Sequence, residues 1–139
     1  MHLIRTALLT LLPLLPVTAF AGDADIRGAQ ATVDSQLKAF QSNDGALAYS
    51  FAAPSIQRIF PTVDIFMGMV GSAYQPIRSP RSYALGAAKE LGNGRIQQDV
   101  LLTGPDGLEY EAEYTLELQP DGVYRITSVK LKKSTAIGA

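Results

Sequence analysis

The chain has 139 residues, 47% of them apolar and 18% charged, and a formal net charge of −1. That composition suits one small globular domain and offers no positive field for a polyanion, so nucleic acid is excluded as a partner. With no cysteine and a single histidine, His2, a disulfide framework and a thiol nucleophile are excluded as well.

Met1 to Arg5 is a short basic start, and Ala7 to Phe20 is an apolar run broken by Pro13 and Pro16. Ala19-Phe20-Ala21 is a small-x-small cleavage pattern, followed by Gly22-Asp23. Residues 1–21 therefore read as a secretory signal peptide cut between Ala21 and Gly22, because the run is too short to cross ~30 Å of hydrocarbon. No cysteine follows to carry a lipid, and no later stretch is apolar enough to span a bilayer. Cleavage removes His2 and Arg5, which leaves no histidine for a base or a metal site and lowers the net charge by one unit. An exported domain without disulfides is expected in the bacterial periplasm, held together by its core alone.

Asp23 to Gln41 is predicted as a helix, with Ile26, Ala29, Val33, Leu37 and Phe40 in one apolar stripe and Asp23 or Asp25 as its cap. Ser42-Asn43-Asp44-Gly45 is a turn, and Asp44 is placed to cap a short helix through Phe51 with Ala46, Leu47 and Phe51 inward. Pro54 is expected to end it, and Ser55 to Phe60 reads as one more helical turn. Pro61-Thr62 opens a third helix, Val63 to Tyr74, whose apolar face holds Val63, Phe66, Met67, Val70 and Tyr74. Gly68 and Gly71 thin its opposite face, which implies close packing there or a loosely held helix. Pro76 and Pro80 bracket an extended piece, Gln75 to Ser79, expected at an edge.

Four strands follow. Arg81 to Glu90 carries Tyr83, Leu85 and Ala87 on one face, and Gly92-Asn93-Gly94 is a hairpin turn into Arg95 to Thr103. Leu108 to Leu118 alternates without a break, with Leu108, Tyr110, Ala112, Tyr114, Leu116 and Leu118 on a dry face and the glutamates from Glu109 to Glu117 on a wet one. In the last strand, Val123 to Lys133, Tyr124 and Ile126 are out of phase with Val129 and Leu131. A β-bulge near Thr127-Ser128 restores all four to the dry face and bends the sheet. Past it, Lys130 and Lys132 are expected to face Glu111 and Glu109. The expected fold is α+β: N-terminal helices packed on a curved antiparallel sheet of about four strands, one domain over residues 22–133, then a frayed tail over 134–139.

The phrases Tyr49-Ser50-Phe51-Ala52-Ala53-Pro54-Ser55-Ile56, Phe66-Met67-Gly68-Met69-Val70, Tyr74-Gln75-Pro76-Ile77 and Tyr124-Arg125-Ile126-Thr127-Ser128-Val129 resemble a bacterial family known only as domain of unknown function 4864. The order of elements resembles the nuclear-transport-factor-2-like superfamily, also described as cystatin-like. The resemblance implies a cone enclosed between sheet and helices, and a homodimer through the open sheet face as one form of assembly. It supplies no catalytic residues and no cofactor.

Within such a cone, acid–base work would fall to a carboxylate with a tyrosine, and Asp64 is the candidate because it interrupts an apolar run. Set against that, a first-turn aspartate off the apolar stripe serves its own helix. Tyr74, Tyr83, Tyr110 and Tyr114 can line a ligand pocket, and Arg78 can clamp a carboxylate at its rim. The glutamate row fans out in a line and cannot surround a metal ion. The expectation is an exported, non-catalytic module that binds a small apolar ligand or a periplasmic protein; the alternative is an isomerase- or hydratase-type enzyme using Asp64.

Overall fold

The computed structural model describes residues 7–13 and 18–134. The basic start with His2, part of the apolar leader and residues 135–139 of the expected tail lie outside the described residues, as do the side chains of Ala19-Phe20-Ala21. Residues 7–13 carry no regular structure, and Leu8, Leu9, Leu11 and Leu12 are exposed.

The element order is α1 (Thr18–Gln41), α2 (Gly45–Ser50), α3 (Pro54–Ile59), α4 (Val63–Ala73), α5 (Gln75–Arg78), β1 (Ser82–Gly92), β2 (Arg95–Thr103), β3 (Glu109–Leu118) and β4 (Tyr124–Lys133). The strands form one antiparallel sheet in the order β1-β2-β3-β4. The architecture is the expected α+β one, helices first and a four-stranded meander after them.

The stripe on α1 behaves as its spacing requires: Ala29, Val33, Leu37 and Phe40 are buried, and the helix lies across the sheet. Asp23 and Asp25 do not cap it, because the helix begins earlier, at Thr18, and takes both into its body. Asp44 does cap α2, accepting from Leu47 N at 3.1 Å. The inner residue of α2 is Ala48; Ala46 and Leu47 are exposed, the reverse of the expectation. The turn sets the helix's rotation, and Gln36 Nε2 fixes it by donating to Ala48 O at 3.1 Å. Pro54 starts α3 at its first position, where a missing N–H costs nothing, instead of only ending α2. Gln75–Arg78 is a helical turn, α5, and not an extended edge piece, since Pro76 occupies its second position, where a missing N–H also costs nothing. Among the described residues, no atom outside the helix's own backbone lies within 4 Å of a Cβ built on Gly68 or Gly71, so none of them packs closely on that face of α4.

In the sheet, Ile96, Val100, Leu102, Ala112, Tyr114, Leu116, Tyr124 and Ile126 are buried on the helix-covered face. Leu108 and Leu118 are exposed, because the strand's ends run past the helices. β1 has a bulge of its own between Leu85 and Ala88, so Ala88 faces Gln98 while Ala87 is exposed. The bulge in β4 is where the phase slip placed it: Thr115 pairs with Ser128, Leu116 with Ile126, and Thr127 is the extra residue. Lys132 pairs with Glu111 and Lys130 with Glu113, two residues along from the expected partners, and Lys132 Nζ lies 3.4 Å from Glu111 Oε2. Ser134 N still donates to Glu109 O at 2.9 Å, so pairing continues into the first residue of the expected tail.

β4 is an edge strand, and its bulged part is capped by the α2–α3 linker. Ala53 N donates to Ile126 O at 2.8 Å, and Ile126 N donates to Phe51 O at 2.9 Å. The linker thus satisfies backbone groups that an open edge would leave bare, and it brings α3 and α4 over that end of the sheet.

Candidate functional site: an apolar cleft beside the β4 bulge

α3 and α4 lie beside the bulged part of β4 without filling the space against it. A cleft of about 230 Å³ remains. Phe66, Met69 and Val70 of α4 form one wall, Ile56 and Phe60 another, and Tyr114 with Ile126 to Val129 the sheet side. Among the described residues, no charged side chain lines it. The aromatic wall is held in place from behind. Phe66 stacks on Phe40 at 6.2 Å between ring centroids and tilts against Tyr49 at 5.2 Å, while Tyr49 Oη donates to Phe60 O at 2.7 Å.

The polar groups at the cleft are few and mostly committed. Gln36 Nε2 is spent on Ala48 O, Thr127 Oγ1 donates to Thr115 O at 3.1 Å, and Tyr74 Oη reaches Val129 O at 3.5 Å. Tyr114 is different. It is completely buried, and among the described residues its hydroxyl has no hydrogen-bond partner. Burial drives its pKa far above the ordinary phenol value, so the group stays a protonated donor.

Two of the tyrosines expected in a pocket, Tyr74 and Tyr114, are brought together there. The others are turned elsewhere. Tyr83 Oη donates to Asp34 Oδ1 at 2.6 Å, on α1, and Tyr110 Oη to Asp106 Oδ2 at 2.6 Å, in the β2–β3 turn. Arg78 is no carboxylate clamp in this arrangement: Nη1 donates to Phe40 O at 2.9 Å and Nη2 to Asn43 Oδ1 at 2.7 Å, which ties α5 to the turn after α1. Asp64 is exposed in the first turn of α4 and lies outside the cleft wall. Sequence reasoning missed Ile56, Phe60 and Met69 as lining residues. The signal available for them was the bulge, since the strand that bends away must leave the residues above it uncovered.

A larger depression of about 460 Å³ lies on the opposite face of the sheet, and it is lined by Asp99, Glu111, Glu113, Lys130 and Lys132. Water competes well for such mixed charges, so the smaller apolar cleft is the better binding site. No group of three or more potential metal ligands occurs among the described residues, and no helix among them is long and apolar enough to cross a membrane.

No curated protein and no solved structure matches the chain. A family model described as a domain of unknown function (DUF4864) matches residues 22–139, nearly the whole sequence, and the chain belongs to that family.

Proposed function

We propose that the protein is an exported, periplasmic module of nuclear-transport-factor-2-like type that holds a small apolar ligand in the cleft between α4 and the β4 bulge. One observation carries this reading: a cleft of about 230 Å³ walled by aromatic and aliphatic side chains with no charge in its lining. Burying apolar surface there is favourable for any molecule that fits, at about 25 cal/mol per Å². The volume lies below the roughly 300–1,000 Å³ of sites for drug-sized ligands, so a single ring or a short chain suits it. Export is supported by the leader pattern ending at Ala21, by the exposed leucines of residues 7–13 and by a family match that begins at Gly22. An isomerase or hydratase built on Asp64 finds no support in its position, since the carboxylate is exposed and outside the cleft wall.

The test is thermal unfolding of the mature chain with ethylbenzene, on wild type and on Val129→Phe, which enlarges a half-buried side chain that lines the cleft opposite Tyr114. Ligand that binds only the folded state raises the melting temperature. Wild type should be stabilised and Val129→Phe should not. No stabilisation of wild type, or equal stabilisation of both, would refute the reading.

A further inference from the structure

An unpartnered hydroxyl in a fully buried tyrosine is costly, and native proteins leave few such groups. Tyr114 carries one, and it borders the apolar cleft. Leucine or phenylalanine would fill the same space on β3 without that cost. The side chain across the β2–β3 pairing offers no relief. Gln98 sits opposite Tyr114, and its Nε2 is committed to Gly86 O at 3.1 Å and Asp99 O at 2.8 Å. Its Oε1 is itself buried without a partner, so the two groups are not bonded to each other.

We infer that the cleft takes a small neutral molecule bearing a hydrogen-bond acceptor, of the ketone, aldehyde or ester class, with its oxygen on Tyr114 Oη. This rests on the cleft being a ligand site, as proposed above. The absence of any cation in the wall disfavours a carboxylate or phosphate, which would have to shed its water with no counter-charge. A pure hydrocarbon would leave the hydroxyl unpaired. The hydroxyls of Thr127 and Tyr74 already donate to backbone carbonyls, and Ser128 lies opposite Thr115 of the outer face, so Tyr114 supplies a buried, uncommitted donor at this cleft. Tyr114 is closed off from solvent, and contact with it requires a side chain in the wall to move. Met69 lines the same cleft, and its unbranched thioether can change rotamer without moving backbone.

The experiment uses a matched pair of probes, acetophenone and ethylbenzene, of similar shape with and without a carbonyl, titrated calorimetrically into wild type and Tyr114→Phe. Wild type should prefer acetophenone by roughly tenfold, the worth of one good neutral hydrogen bond in a dry site. Tyr114→Phe should lose that preference while keeping its ethylbenzene affinity. The ligand-free variant should melt no lower than wild type, because an unpaired hydroxyl has been removed. Equal affinity of wild type for both probes overturns the inference and leaves the apolar cleft standing. Failure of both probes to bind wild type overturns the cleft reading and this inference with it. A retained acetophenone preference in a variant that melts lower would show the hydroxyl spent on the protein or an ordered water, and would also overturn it.

Discussion

Tyr83 on β1 and Asp34 on α1 are joined by a 2.6 Å hydrogen bond across 49 positions of sequence, and Lys38 Nζ closes on the same carboxylate at 2.8 Å. The cluster pins the first helix to the first strand. Its two titrating members are pushed apart. The Lys38 bond first and the Tyr83 bond second hold the Asp34 carboxyl below the usual carboxylate range, while burial first and Asp34 second push Tyr83 up to about 12.

The first prediction is a pair of pH limits. A depressed carboxylate contributes stability that is present above its unfolded pKa, about 3.9, and is lost as pH falls through the lower folded value. A raised phenol contributes below its unfolded pKa, about 10, and the contribution is lost as pH rises toward about 12. Stability should therefore decline in the alkaline window from about 10 to 12. Asp34→Asn should lower the Tyr83 ionisation midpoint only in part, because burial is the larger cause. NMR titration of the Tyr83 ring carbons checks this, and an unchanged midpoint in Asp34→Asn would remove the carboxylate from the explanation.

A second prediction concerns the two faces of β3. Leu116 is fully buried, and Glu117 is exposed. Leu116→Asp should cost several kcal/mol by burying an unpaired charge, whereas Glu117→Lys should stay within about 0.5 kcal/mol of wild type. Urea unfolding of both variants measures the difference.

A third prediction follows from the empty space beside α4. Gly68 and Gly71 lie inside that helix with nothing within 4 Å of an added Cβ. Gly68→Ala and Gly71→Ala should each stabilise the domain by about 0.5–1 kcal/mol, through helix propensity and a less flexible unfolded chain. Denaturant midpoints would show it, and a loss of stability would contradict the open space found beside these two glycines.

The fourth prediction is processing. The mature protein recovered from the periplasm should begin at Gly22, as read by intact mass. A full-length chain retained in the cytoplasm would contradict export.

Most of the fold was legible because its signals are local. The period of α1, the Asn93-Gly94 turn with both residues at positive φ, and the unbroken alternation of β3 each constrain a segment by itself. The Thr127 bulge was legible for the same reason, since a phase slip appears within one strand. The cleft was legible only in part. Tyr74 and Tyr114 were expected at it, but Tyr83 and Tyr110 share the same alternation and are turned aside by Asp34 and Asp106, partners distant in space or fixed by a loop. Which tyrosine keeps a free hydroxyl depends on tertiary contacts that no periodicity encodes. The exposed Leu47 escaped because in a helix of six residues the start position decides the inward face, and one residue of error rotates it by about 100°, while the turn at Gln75–Arg78 escaped because a proline suits the first turn of a helix as well as an extended piece.

The proposed role requires that the cleft bind a small apolar molecule. The most direct measurement is a backbone amide NMR titration of the mature chain with ethylbenzene. Saturating shift changes should be confined to α4 around Phe66 to Val70 and to β4 from Ile126 to Val129, with the outer face at Glu111, Glu113 and Lys130 unmoved. Absence of saturable shifts, or shifts centred on the outer face, would contradict it.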